Sequence, residues 1–217
     1  MVTIKWYGHS CFSIKSDKVI VVFDPYGDVG LKTPKLLADI VLLSHSHKDH
    51  NNLDIVSPFK KEIKIVDNPG EYEYLGINII AIPAWHDKKQ GKERGETLLF
   101  AVRIENMVFG HLGDLGQEKL SEKQLEELNG VDILLIPVGG KYTINGEEAS
   151  KIANQIDPRI VIPMHYKIEG LNIELDDESS FVKAEGGKGI EPKPELKVEK
   201  KNLPQEERDV VILAPQK

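Results

Sequence analysis

Cysteine is almost absent from this sequence. Cys11 is the only one in 217 residues, so no disulfide forms within the chain and thiolate cannot dominate a metal site. Any bound metal must be held through nitrogen and oxygen. Long apolar runs are missing too, none approaching the ~20 residues that a membrane span needs. The opening Met1-Val-Thr-Ile-Lys-Trp-Tyr7 alternates like a strand and lacks the charged, apolar and small-residue regions of a secretion signal, which makes a cytoplasmic location the expectation. An excess of positive charge is also lacking. The net charge is −7 and the pI is near 5.6, which weakens any reading that needs broad contact with a phosphate backbone and points to small-molecule substrates rather than nucleic acid. With 40% apolar and 29% charged residues the composition is ordinary for a globular protein. The length suits one domain over residues 1–217 with a large core.

The periodicity predicts strands over Val2–Trp6, Cys11–Lys15 and Val19–Asp24, separated by turn-prone Gly8, Ser10, Ser16 and Asp17. Pro34–Ala38 reads as a short helical segment, Asp39–Leu43 as a buried strand and Asn51–Val56 as a helical turn or two. A strand over Ile63–Asp67 runs into a Pro69-Gly70 turn. The apolar run Ile77–Ile82 ends at Pro83-Ala84-Trp85-His86, and a hairpin follows, Thr97–Ile104 and Met107–His111 turning at Glu105-Asn106. Ser121 and Gln124 match a capping box for a helix over Ser121–Leu128. Then Val131-Asp-Ile-Leu-Leu-Ile-Pro137 echoes Ala38-Asp-Ile-Val-Leu-Leu-Ser44, with a helix over Gly146–Gln155 and a strand over Arg159–Pro163 behind it. Two α/β halves whose strands end at one edge is the expected architecture. The chain turns polar after Gly170, yet Val210–Leu213 still reads as a strand, so no disordered tail is expected.

His45, His47, Asp49 and His50 fall within six residues after the apolar Ile40–Leu43. Imidazoles this dense repel one another once protonated, and metal ions are the compensating ligand. In extended backbone i and i+2 face one side, so His45 and His47 can hold one ion while Asp49 and His50, past the bend, reach a second. His86, Asp114 and His165 each follow a strand end, where open α/β sheets place their ligands.

Together, His45-Ser-His-Lys-Asp-His50, Trp85-His-Asp87, Gly113-Asp114 and Pro163-Met-His165 resemble, in order, the motifs of the metallo-β-lactamase superfamily. Within it, Trp6-Tyr-Gly-His-Ser-Cys-Phe12 and Phe23-Asp-Pro25 resemble the branch that contains L-ascorbate-6-phosphate lactonase. The resemblance implies a four-layer αββα sandwich with two pseudo-symmetric halves, His45, His47 and His86 on one metal, Asp49, His50 and His165 on the other, and Asp114 bridging. It departs at Lys48, where smaller residues are frequent, and at Leu115, where threonine is common. The expected activity is that of a dinuclear hydrolase that uses a metal-activated hydroxide, with Asp49 orienting it, on a small ester, lactone or phosphodiester. Zinc, manganese and iron all suit such ligands. A nuclease or cyclic-nucleotide phosphodiesterase is the alternative enzyme, and a metal-binding regulatory domain without turnover is the alternative outside enzymes; oligomeric state stays open.

The remaining polar residues carry weaker signals. His9, in a strand-to-strand turn, is either a structural histidine or, from the resemblance, a catalytic substrate-contacting or proton-transfer group. Asp24 is expected to orient a ligand histidine and His111 to pack or support a ligand. Asp87 reads as a supporting or turn residue. Tyr142, and with it Lys141, sits in a loop that either contacts substrate or merely packs. Cys11 reads as a small core hydrophobe.

Overall fold

The computed structural model describes residues 1–216. Its first half contains β1 (Val2–Gly8), β2 (Cys11–Lys15), β3 (Ile20–Phe23), β4 (Leu36–Ala38), β5 (Ile40–Leu42), a 3-10 turn at Leu53–Ile55, β6 (Val56–Pro58) and β7 (Lys64–Val66). The second half contains β8 (Gly70–Tyr74), β9 (Ile77–Trp85), β10 (Glu96–Ile104), β11 (Met107–His111), α1 (Glu122–Glu127), β12 (Ile133–Pro137), α2 (Gly146–Ile156) and β13 (Ile160–Met164). Then follow α3 (Ser179–Ala184), β14 (Leu196–Val198), a 3-10 turn at Lys200–Asn202 and β15 (Asp209–Val210).

The strands form two main sheets, ordered β14-β1-β2-β3-β5-β7 and β15-β13-β12-β11-β10-β9-β8. Each contains three antiparallel neighbours followed by two parallel ones, β1-β2-β3-β5-β7 in one and β9-β10-β11-β12-β13 in the other. Of the parallel strands, β5, β12 and β13 are apolar and buried along their whole length, as strands covered on two faces must be. Their inner faces share one core that includes Trp6, Phe12, Phe23, Phe100 and Phe109.

The echo between the halves extends to backbone chemistry. Asp39, just before β5, donates its N–H to Ile20 O and accepts the Ile20 N–H on its carboxylate. Asp132, just before β12, donates its N–H to Val108 O and accepts the Val108 N–H in the same way. In both cases the aspartate carbonyl also accepts the N–H at the start of the next parallel strand, Lys64 or Ile160. A repeated Asp-Ile in the sequence is therefore a repeated clamp.

Outside the sheets the halves differ. Helices α1 and α2 pack on the second sheet. Over the first, the outer cover is a smaller apolar cluster of Cys11, Val22, Tyr26, Leu36 and Val41, packed against Leu53, Leu171 and Ile173. Leu36–Ala38, expected to be helical, is a strand paired in parallel with β6. Leu36 and Ala38 point inward around the exposed Leu37, an alternation of period two that a helix would break. The Pro69-Gly70 turn likewise runs straight into β8, whose alternating Tyr72 and Tyr74 pack on the core. The polar C-terminal region is ordered: α3 buries Phe181, β14 pairs with β1 and β15 with β13. Among the described residues no helix is long and apolar enough to cross a membrane.

Candidate metal centre

Seven side chains with nitrogen or oxygen donors meet at the edge where β5, β9, β11 and β13 end, together with His9 from the β1–β2 turn. The β5 strand stops at Leu42, and the following loop carries His45, His47, Asp49 and His50. Asp24, fully buried with φ 41°, sets the shape of that loop. Its two oxygens accept the Ser44 N–H and hydroxyl, both at 2.7 Å, and Oδ2 lies 3.1 Å from His50 Nδ1. Ser44 Oγ is also 2.8 Å from His45 Nδ1. One buried carboxylate thus contacts His50 directly and His45 through Ser44.

The other donors arrive by backbone geometry. His86 follows β9 and donates its N–H to Gly95 O, closing the loop between them. Asp114 follows β11 across Gly113, where φ is 48° and a Cβ would come within 2.6 Å of Thr97 Oγ1 and 2.7 Å of Leu98 O, so only glycine fits. Thr97 Oγ1 accepts the Asp114 N–H at 3.2 Å. His165, at φ 51° after β13, donates its N–H to His9 O.

Asp114 Oδ2 is the hub. It lies 3.2 Å from His50 Nε2, 3.2 Å from His165 Nε2, 3.4 Å from His86 Nε2 and 4.0 Å from His45 Nε2. Three donor groups surround it: His45, His47 and His86; His45, His50 and Asp114; His9, His50 and His165, the atoms of each group lying within 4.8 Å of one another. The donor set fits divalent cations. His45 Nε2 is buried with no hydrogen-bond partner although it faces this cluster, an arrangement that is costly unless an ion completes it. Asp49 is the most open of the carboxylates, its side chain 33% exposed, with Oδ2 3.2 Å from His9 Nε2 and 3.7 Å from His50 Nε2.

Electrostatics separates the imidazoles. Burial and the neighbouring His50 push His45 down to about 3, and burial with His165 takes His9 down to about 4. Burial opposes charge on His50 as well, but Asp114 and Asp24 outweigh it and lift His50 well above the usual imidazole range. Burial also opposes charge on Asp114, yet His165 and His50 overcome it and hold the carboxyl well below its ordinary value. Without metal, the centre is a buried ion cluster around His50.

Other residues occupy structural places. His111, fully buried and stacked on Phe23 with ring centroids 4.8 Å apart, reaches Ser10 O with Nε2 and accepts the Gly113 N–H on Nδ1. It therefore braces Ser10 and the Asp114 turn. Asp87 is a turn residue: its carboxylate accepts the N–H groups of Lys89, Gly91, Glu93 and Arg94. Tyr142, 39% exposed, lies beneath the Arg94 guanidinium, 5.1 Å from ring centroid to carbon. The loop of Tyr142 is fixed to the centre at both ends. Gly139 packs so closely on His165 that a Cβ would lie 2.1 Å from its carbonyl oxygen, and Ile144 donates to Leu115 O. Sequence reasoning missed Ser44, Thr97 and Arg94. Ser44 carried a signal, since it joins the strand to the first ligand; Arg94 enters only through the Asp87 loop.

Residues 3–165 match the model of the beta-lactamase superfamily domain. The chain belongs to the metallo-β-lactamase superfamily. It is 30% identical over 191 residues to a UPF0173 metal-dependent hydrolase of Thermococcus onnurineus, covering 76% of this chain and 85% of that one. With a second UPF0173 metal-dependent hydrolase, from Thermoplasma acidophilum, it shares 32% identity over 199 residues, 81% and 87% of the two chains. Among solved structures it is similar to a Thermotoga maritima protein described as a candidate Zn-dependent hydrolase of the metallo-beta-lactamase superfamily, with 31% identity, a TM-score of 0.80 and 98% of both chains covered.

Proposed function

We propose that this chain is a dinuclear metal-dependent hydrolase acting on an ester, lactone or phosphodiester of a small molecule. The observation that carries the reading is Asp114 Oδ2, central to four imidazoles from three separate loops. A carboxylate so placed suits a bridge between two cations, with His45, His47 and His86 holding one, and Asp49, His50 and His165 the other. When bound, two such ions polarise the substrate oxygen and lower the pKa of a water from ~15.7 toward ~7. Imidazole and carboxylate donors suit zinc, manganese or iron.

The chain's own residues do the rest. Asp49, the open carboxylate, holds an ion and orients the attacking water on the solvent side. Asp24 and Ser44 keep His50 and His45 aimed inward. Tyr142 and Arg94 line the rim and contact the substrate, the guanidinium favouring an anionic group there. Because the ligand loops are tied to strand ends rather than free, the ligand set is largely formed before metal arrives.

Metal analysis of protein purified without added metal tests the first part: close to two ions per chain is expected, and a folded, metal-replete sample holding none overturns it. A panel of lactones, aryl esters, bis-aryl phosphodiesters and RNA, repeated with Asp49→Ala, tests the second. Turnover that is unchanged in Asp49→Ala excludes this mechanism.

A further inference from the structure

His9 is the one imidazole at the centre that the superfamily motifs leave without a metal role, and its surroundings are those of a ligand. It is fully buried, which removes it from the surface a substrate would approach. Its Nε2 lies 3.1 Å from His50 Nε2 and 3.2 Å from Asp49 Oδ2, and its ring centroid is 4.2 Å from that of His165. Those three are the donors assigned to the second cation.

The contacts converge. His50 turns Nδ1 to Asp24 at 3.1 Å, while its Nε2 lies 3.1 Å from His9 Nε2 and 3.2 Å from Asp114 Oδ2, and His9 Nε2 in turn lies 3.2 Å from Asp49 Oδ2. Two imidazole nitrogens and two carboxylate oxygens thus crowd one buried space, an arrangement that a cation among them would satisfy at once.

The spacing is informative as well. Two donors ~2.1 Å from a common ion stand about 3.0 Å apart at a right angle and about 3.4 Å apart at the tetrahedral angle. The 3.1 Å contact of His9 with His50, and the 3.2 Å contacts of His9 with Asp49 and of Asp114 Oδ2 with His50 and His165, fall within this range, so each pair fits two donors sharing one ion, while His50 Nε2 and Asp49 Oδ2 stand wider at 3.7 Å. His9 is also built in firmly. At φ 53° it occupies the left-handed region, which residues other than glycine adopt when their surroundings impose it. Its carbonyl accepts both the Trp6 indole N–H and the His165 N–H, each at 3.0 Å. Its Nδ1 is buried without a partner, as are those of His86 and His165.

We propose that His9 is a direct ligand of the second cation, making that site a three-imidazole, two-carboxylate set whose five donors suit an ion that takes more than four ligands, such as Mn²⁺ or Fe²⁺. This rests on the two-cation reading above and replaces a proton-transfer role for His9 with a metal-binding one. The two sites then differ in kind: His45, His47 and His86 with Asp114 give a four-donor set that suits tetrahedral zinc, and the second set does not.

Crystals of the full chain grown with MnCl₂ and measured at the manganese absorption edge test it directly. An anomalous peak within about 2.4 Å of His9 Nε2, shared with His50 and His165, is the expected result. A peak bonded to His50 and His165 but more than ~3 Å from His9 Nε2 overturns the ligand assignment and leaves the hydrolase reading intact. No peak at this group, with or without one at His45, His47 and His86, overturns the two-cation reading and this inference with it. In solution, His9→Gly removes the donor while suiting the positive φ. Equilibrium dialysis against Mn²⁺ should show the second ion bound at least ~10-fold more weakly, with affinity recovered on adding free imidazole. The cobalt-loaded variant should absorb more strongly in the visible than cobalt-loaded wild type, as coordination falls. Unchanged affinity and an unchanged cobalt spectrum overturn the proposal.

Discussion

The two halves share a sheet plan and an aspartate clamp but present their ligands by different means. In the first half, one loop after β5 carries four donors, and a buried carboxylate, Asp24, shapes it through Ser44 and His50. In the second half, β9, β11 and β13 deliver one donor each. There the positioning is done by main chain: the Gly113 turn, the closure of His86 on Gly95 and the packing of Gly139 against His165. The loop after β12, the counterpart of the metal loop, has no ligand and carries Tyr142 instead.

That contrast can be broken experimentally, most severely at the residue both halves share. Asp114→Ala leaves His50, His86 and His165 without their common partner, and should cost well over ~100-fold in kcat/KM and in affinity for both ions, read by steady-state kinetics and metal analysis. Asp24→Asn strikes the side-chain positioning of the first half alone. It should weaken metal binding by roughly 10–100-fold, chiefly at the ion held by His50, while the other site keeps its affinity.

The paired clamp sharpens the comparison. Asp39→Ala and Asp132→Ala each strand one buried backbone N–H, of Ile20 or Val108, at a cost of about 1–3 kcal/mol in urea unfolding. Costs of similar size in both support structural equivalence; a silent Asp132→Ala means that its half is held by the helices instead.

Proton uptake gives a subtler test. His50 has a raised pKa in the metal-free chain, so its stabilising contribution is complete below ~6.5 and lost as pH rises through the raised value. Asp24 and Asp114 are shifted the other way: their contribution is present above ~3.9 and lost as pH falls through their depressed values. At pH 7 an entering cation therefore displaces a proton from His50, and a dye in weak buffer should register release of about one proton per chain. Smallest of all, Arg94→Gln should raise KM for anionic substrates by roughly 10-fold or less, with little effect on neutral ones, since a rim charge contributes modestly.

Most of this candidate centre was legible because its donor residues obey a local rule. His86, Asp114 and His165 each end an apolar run, and the cluster from His45 to His50 ends another, so strand periodicity located them without knowledge of the sheets. The turn at Glu105-Asn106 was equally local, both residues having positive φ. Leu36–Ala38 was misread because three residues hold too little periodicity to separate strand from helix, and its partner Val56–Pro58 is distant in sequence. Arg94 was invisible for a related reason: its stacking on Tyr142 depends on a loop folded around Asp87 and a second loop about fifty residues on.

The late strands β14 and β15 bear on biogenesis. One lies along β1 and the other along β13, so a single late stretch of chain closes one edge of each sheet. Every candidate metal ligand has been synthesised by His165, well before either edge is covered. A ribosome-bound chain thus holds all of the candidate ligands beside two open strand edges, which are templates for aggregation. Early metal capture would shorten that exposure by favouring the folded arrangement, so metal supply during synthesis should govern soluble yield as well as activity.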